Sequence, residues 1–337
     1  MRGVIPLGDK WIDEIGSKQE FDLIKRVEIG GIYQWIRLRG KDVKKPVILF
    51  LHGGPGFAHM SFAHKFQSKL EDEFVVVNWD QRGAGKSYSN DIDIGSMNID
   101  QFILDTYQVA NILLHALEKE KIYLTGLSWG ASIGTYTIFR YPELFYAFIP
   151  CGYGIEYYEV ERSSFEFVLN TARITNNKKA LSELEKFSFP PSKERFNEFC
   201  NIKGKWLMKF GGYIKSSVPR LLLKALPSLL FSPVYSLNDR LKWYKGLKFS
   251  AETAGNLIMK INFFEEVPKI EVPIYICVGK YDYLTSYEVT VKYFEQLEAP
   301  LKELIWFENS AHAPNFEESN KFCDVLINMV LPGTYNK

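Results

Sequence analysis

One pentapeptide constrains this chain more than any other: Gly126-Leu127-Ser128-Trp129-Gly130. It follows directly on the apolar run Ile122-Tyr123-Leu124-Thr125 and precedes the small residues Ala131, Ser132 and Gly134. A chain that turns from strand to helix over one serine must hold that serine in a strained backbone conformation, with its neighbours packed close. Glycine on both sides leaves the room for this. The strain pushes the hydroxyl into a cleft, which is the G-x-S-x-G nucleophile-elbow pattern in its strand–turn–helix context. Ser128 is therefore the candidate nucleophile.

Such an elbow needs a sheet to sit on. Val47-Ile48-Leu49-Phe50-Leu51 and Val75-Val76-Val77-Asn78-Trp79 are apolar on both faces, as are the runs at 122–125, 147–151, 274–278 and 304–307. Strands of that kind suit a parallel sheet covered by helices. Residues 26–39 read as a hairpin turned at Gly30-Gly31. Between the second and third runs, Ile103, Tyr107, Ala110, Leu114 and Leu117 recur at helical spacing over 99–120. Strand, helix and strand in that order make a right-handed crossover. A further helix is expected over 287–297. The expectation is an α/β protein in two pieces of one core, 1–153 and 251–337, with a helical cap inserted over 154–250.

The cap differs in composition. Strand-like runs vanish, and residues 201–250 hold eight lysines and two arginines against one acid, Asp239. They also hold leucine-rich runs at 221–223 and 229–231. The plain expectation is cap helices with lysine-rich outer faces and leucine-rich inner faces. Contact with an anionic membrane surface and steering of anionic substrates are the alternatives.

The other chemistry-bearing residues are few. His52-Gly53-Gly54-Pro55-Gly56 follows the run 47–51, and its glycines free backbone N–H groups to point into a cleft. With the N–H of Trp129, the N–H of Gly54 is the expected oxyanion hole. The Trp129 side chain is expected to line the pocket wall. Five histidines compete for the role of base. His52 belongs to the glycine loop, His59 and His64 lie near it, and His115 sits in the helix over 99–120. His312 alone follows the last strand-like run, at the carboxyl end where α/β sheets place their sites. Asp282 follows the run 274–278 and lies between Ser128 and His312, in the order Ser…Asp…His. Ser128, His312 and Asp282 thus form the expected triad, which works through an acyl-enzyme without metal or organic cofactor.

These pieces, in this order, resemble the α/β-hydrolase fold. More narrowly they resemble the proline iminopeptidase group of serine peptidases. The residues that carry the likeness are His52-Gly53-Gly54-Pro55-Gly56, Asp80-Gln81-Arg82-Gly83-Ala84-Gly85-Lys86-Ser87 and Gly126-Leu127-Ser128-Trp129-Gly130, with Gly279-Lys280-Tyr281-Asp282 and Glu308-Asn309-Ser310-Ala311-His312 near the end. The likeness covers about residues 25–155 and 265–335 and not the cap. It implies release of an N-terminal residue, often proline, from short peptides or amides. It also implies that Asp80 and Arg82 pair with each other near the sheet in an architectural role, and that acidic cap residues hold the substrate's free amino group. Glu156, Glu159, Glu161 and Glu166 early in the insertion are the candidates, with Glu252 as another and Gly53 on the core side, and none of these acids matches the group's amine-binding pattern. An apolar cap without such acids suits a carboxylesterase or lactonase, because a buried ammonium needs paired carboxylates and an ester does not. A ligand-binding protein with a spent triad is the third reading.

Net charge near +1 gives no reason to expect a nucleic-acid partner. No run is long and apolar enough to span a bilayer, and the start, Met1-Arg2-Gly3-Val4, leads into charged sequence without a signal-peptide core. Four cysteines without a CxxC pair fit a reducing, cytoplasmic setting. A small-molecule or short-peptide substrate is the expected partner, and a homo-oligomer is compatible with the sequence.

Overall fold

The computed structural model describes residues 10–16, 20–215 and 218–335. The start at 1–4, read above for a leader, lies outside them, as do the side chains of residues 218–220 and 222. An eight-stranded sheet organises the chain: β1 (Phe21–Ile29), β2 (Ile32–Gly40), β3 (Val47–Leu51), β4 (Val75–Asp80), β5 (Ile122–Leu127), β6 (Phe145–Cys151), β7 (Ile274–Gly279) and β8 (Lys302–Phe307). Their order in space is β1-β2-β4-β3-β5-β6-β7-β8. β1 and β2 form the expected antiparallel hairpin, β2 pairs antiparallel with β4, and the remaining pairs are parallel.

The helices, in chain order, begin with the short α1 (Trp11–Ile15) and α2 (His64–Gln67). α3 (Ile99–Ala116) and α4 (Trp129–Arg140) follow β4 and β5. Between β6 and β7 come α5 (Tyr157–Ile174), α6 (Lys178–Leu184), α7 (Phe196–Lys209), α8 (Val218–Leu230), α9 (Leu237–Ala254) and α10 (Phe263–Glu266). α11 (Tyr287–Gln296) joins β7 to β8, and α12 (Pro314–Glu317) and α13 (Ser319–Val325) follow.

Side chains alternate across a strand, so each central strand feeds two cores. Val47, Leu49 and Leu51 face α3 and α4, with Val75, Val77 and Leu124. Ile48 and Phe50 face the other way, with Val76, Tyr123 and the C-terminal Phe322 and Leu326. The inserted helices have a core of their own, in which Phe165, Val168, Leu184, Phe199 and Trp206 of α5, α6 and α7 pack together.

α8 and α9 depart from the expected pattern. Large apolar residues stand among the exposed side chains of both helices: Leu223, Leu226 and Leu230 on α8, and Leu237, Leu241 and Tyr244 on α9. The buried side of α9 is Gly246, Ser250 and Ala254. Small residues are required there because a Cβ on Gly246 would lie 2.7 Å from Gly83 O.

The pairing within the Asp80–Ser87 segment is also corrected. Arg82 pairs with Asp105 of α3, not with Asp80. The guanidinium donates from Nε to Oδ2 and from Nη2 to Oδ1, each at 2.9 Å, and both side chains are almost fully buried. Nη2 also donates to Gly30 O at 2.9 Å, and Gln34 Nε2 donates to Asp105 Oδ2 at 2.7 Å. Thus a buried fork ties the hairpin turn, the loop after β4 and α3 together. Burying one charge without its partner costs far more than the intact pair contributes. Arg82→Leu should therefore lower unfolding free energy by about 3–5 kcal/mol in urea titrations. Arg82→Lys should recover only part of this, because an ammonium cannot reproduce the two-pronged contact.

Candidate active site

Ser128 stands between β5 and α4 with φ 56° and ψ −117°, in the left-handed half of backbone space where a side chain is strained. Its neighbours explain how that conformation is held. A Cβ on Gly126 would lie 2.4 Å from Gly130 C, and a Cβ on Gly130 would lie 2.2 Å from Leu51 O. Neither position admits any residue but glycine. The Ser128 N–H donates to Cys151 O of β6 at 2.9 Å, which fixes the turn to the next strand. As the first residue of α4, Trp129 has a backbone N–H with no acceptor within its own helix. Its indole is 1% exposed and packs edge-on against Phe102 at 5.1 Å, so it belongs to the core and not to a pocket wall.

The glycine loop after β3 lies against the elbow. A Cβ on Gly53 would fall 3.4 Å from Ser128 Cβ and 3.0 Å from Leu127 O. The loop is oriented by His52, which is wholly buried. Its Nε2 accepts from the Gln81 backbone N–H at 3.1 Å, so the ring proton sits on Nδ1, which donates to Gly53 O at 2.9 Å. Phe57 N donates to the same carbonyl at 3.0 Å. In a trans peptide the C=O and the N–H point in opposite directions. With the Gly53 carbonyl turned toward His52 and Phe57, the Gly54 N–H is turned away from them. Gln81 Nε2 closes the link by donating to His52 O at 2.9 Å.

Asp282 and His312 meet at the carboxyl ends of β7 and β8. His312 Nδ1 lies 3.2 Å from Asp282 Oδ2, and both residues are 4% exposed. Thr285, which sequence reasoning missed, completes the group. Its hydroxyl donates to Asp282 Oδ2 at 2.6 Å and lies 3.3 Å from His312 Nδ1. The backbone N–H groups of Leu284 and Thr285 both donate to Asp282 Oδ1 at 3.0 Å. Burial alone would raise the Asp282 pKa, but His312 and these donors outweigh it and hold the carboxyl below its ordinary value. The signal was present in the sequence as a hydroxyl residue three positions past the acid, but nothing marked it out from Ser286.

His312 is held from its other side as well. A Cβ on Gly152 would lie 2.7 Å from His312 Cε1, so the residue after Cys151 touches the imidazole while Cys151 O holds Ser128. His312 N donates to Tyr213 O at 3.0 Å. Glu317 Oε1 accepts from Ala311 N at 2.9 Å, which pins the loop before the histidine.

Three of the candidate cap acids are engaged elsewhere. Glu156 caps α5, its carboxylate accepting from Tyr158 N at 3.0 Å and Glu159 N at 2.6 Å. Glu159 pairs with Arg162 at 2.5 Å. Glu161 meets the buried Lys203 at 2.6 Å. Among the described residues no cluster of three or more His, Cys, Asp or Glu is arranged to hold a metal ion, and no helix is long and apolar enough to cross a membrane. The four cysteines are free.

Two buried groups behind the glycine loop carry a pH signature of opposite sign. His59, 1% exposed among His52, Phe62 and Phe316, has its pKa pushed down by burial to about 3. Burial pushes Asp80 up to about 7 against the bonds it accepts from the Tyr235 hydroxyl and from Lys86 N. Between pH 6.5 and 3 the unfolded chain takes up a proton at His59 and the folded chain does not, so this residue's contribution to stability is lost as pH falls. Asp80 acts in the reverse sense, because it is the folded state that binds the extra proton between its two pKa values. His59→Leu isolates the first effect. Between pH 7 and pH 5 the stability of the wild type relative to this variant should fall by about 2 kcal/mol in urea unfolding.

The chain is similar to known proteins over most of its length. Over 315 residues the chain is 35% identical to the probable aminopeptidase YbaC of Bacillus subtilis, covering 93% of this chain and 97% of that protein. It is 24% identical over 297 residues to a proline iminopeptidase of Saccharolobus solfataricus, covering 87% of this chain and 86% of that one. Among solved structures, a proline iminopeptidase-related protein of Thermus thermophilus superposes with a TM-score of 0.64 at 20% identity, over 93% of this chain and 98% of that one. Residues 46–319 match the sequence profile of the alpha/beta hydrolase fold, and the chain belongs to that family.

Proposed function

We propose that the chain is a serine hydrolase in which Ser128 is the nucleophile, His312 the general base and Asp282 the acid that orients it. The hydrogen-bonded group Asp282–Thr285–His312, set across Gly152 from the elbow, is the observation that carries this reading. In it, His312 takes the Ser128 proton as the hydroxyl oxygen attacks the substrate carbonyl. The Gly54 and Trp129 N–H groups receive the oxyanion. His312 returns the proton to the leaving group, and water then releases the acyl group by the same route. Thr285 is a positioning residue, since its hydroxyl holds the carboxylate oxygen that faces the imidazole.

For substrate, the reading is an aminopeptidase that releases proline or another small N-terminal residue from short peptides or amides. Its support is the relatedness to YbaC, which runs through the inserted helices as well as the core. One observation favours a second reading, a carboxylesterase or lactonase: Glu156, Glu159 and Glu161 are each committed to a cap or an ion pair. Proline and alanine anilides, their N-acetyl forms and short-chain aryl esters separate the two. Cleavage of free-amine anilides that N-acetylation abolishes is the expected result, and cleavage of esters alone would move the protein to the second reading.

Ser128→Ala should lower kcat/KM by about four orders of magnitude or more with folding intact, and His312→Ala should fail nearly as far. Activity retained by a clean Ser128→Ala preparation would reject the triad. Thr285→Val should reduce kcat about tenfold with KM little changed, as expected for the loss of one charge-assisted hydrogen bond behind the base.

A further inference from the structure

α8 and α9 both present large apolar side chains to solvent. On α8, Leu223, Leu226 and Leu230 recur at three and four residues, the spacing of one helical stripe, and the stripe faces solvent. Leu223 is 76% exposed, and Phe231, just past the end of the helix, is 79% exposed. Among the described side chains of α8 the buried one is Ser228. On α9, Leu237, Leu241 and Tyr244 repeat the pattern, with Leu237 75% exposed. The two helices are consecutive in the chain, joined by the link 231–236. Isolated exposed leucines are ordinary, but a run of large apolar side chains along two neighbouring helices is not.

The chemistry around the patch limits what could cover it. Residues 201–250 carry ten basic side chains and one carboxylate, Asp239, and of the ten Lys203, Lys205 and Lys248 pair with Glu161, Glu183 and Glu252. The Asp239 carboxylate is already held by Lys86 at 2.8 Å. Lys242 and Lys245 share an outward depression with Leu241 and Tyr88, so positive charge borders the apolar stripe. A second copy of the chain would bring the same basic surface against itself. An anionic, apolar-cored and geometrically undemanding partner fits better, since the outward stripe offers leucine and phenylalanine but little that could read a specific polar shape.

We propose that the outer faces of α8 and α9 dock on the surface of an anionic lipid bilayer, with Leu223, Leu226, Leu230 and Phe231 in the headgroup–acyl boundary and Lys242 and Lys245 against lipid phosphates. The helices lie in the interface and do not span it, consistent with their length and composition. Docking there would place the cap, which faces the Ser128 side of the core, at the membrane surface without using any residue of the triad.

Sedimentation with vesicles tests this. The full-length protein should pellet with phosphatidylcholine–phosphatidylglycerol vesicles at low ionic strength. It should pellet much less with pure phosphatidylcholine, and should be released at about 0.5 M salt, where surface charges are screened within a few ångströms. Leu223→Glu with Phe231→Glu, and separately Lys242→Glu with Lys245→Glu, should each lower the bound fraction at least about tenfold. All four side chains face outward, so the variants should keep the wild-type circular dichroism and thermal midpoint. A wild-type protein that stays in solution with anionic vesicles at low salt overturns the proposal. So does binding that the leucine–phenylalanine variant retains. A concentration-dependent dimer in light scattering that this same variant disperses would assign the surface to a second copy and overturn it equally.

Discussion

The structure depends on one contact that contains no side chain. Gly130 approaches Leu51 so closely that a single methyl group would lie 2.2 Å from the strand's carbonyl oxygen. This approach lets α4 start directly over the end of β3. It draws Ser128 beside Gly53, and it leaves the first N–H of α4 unpaired by its own helix. Interiors are close-packed and transmit a displacement of a few tenths of an ångström. A larger residue at 130 would therefore separate the hydroxyl from the loop that faces it, even if the sheet survived.

Around that contact the site is assembled from loops, and each loop is held by something else. His52 and Gln81 hold the loop after β3 to the loop after β4 through two hydrogen bonds, and a third, from His52 Nδ1 to Gly53 O, braces the glycine loop itself. α9 clamps the same two loops from above. Trp243 Nε1 donates to Ala58 O at 2.7 Å, Ser250 Oγ donates to Gly83 O at 3.0 Å, and Lys86 reaches Asp239. On the other side, Tyr213 O receives the His312 N–H, and Tyr283 stacks on Phe167 of α5 at 3.7 Å. The inserted helices therefore fix the segments that carry the groups of the candidate site.

Much of this was legible in the amino acids. The strands at 47–51, 75–80 and 122–127 were visible because runs apolar on both faces have few places to go but a covered sheet. Gly30-Gly31 marked the hairpin because both residues need positive φ, at 58° and 77°. Asp282 and His312 could be proposed as partners because each follows a strand, and the structure brings them within 3.2 Å. Three things were not legible. Arg82 selects Asp105 over the nearer Asp80 because the choice is made by burial and register, which sequence distance does not encode. Trp129 reads as a wall residue until Phe102 is seen against it. The orientation of α8 and α9 could not be read from their composition, since a helix with one apolar face looks the same whether that face is turned in or out.

That last feature has a consequence for how such proteins diversify. α9 grips the glycine loop and the loop after β4 with its inner face and presents an apolar stripe with its outer one. A change of helix that altered what the outside meets would also disturb the peptide groups beside Ser128. Cap and core loops thus form one inherited unit: a cap grafted from a relative onto this core would bring foreign anchors for Ala58 and Gly83, and would have to travel with the loops that match it.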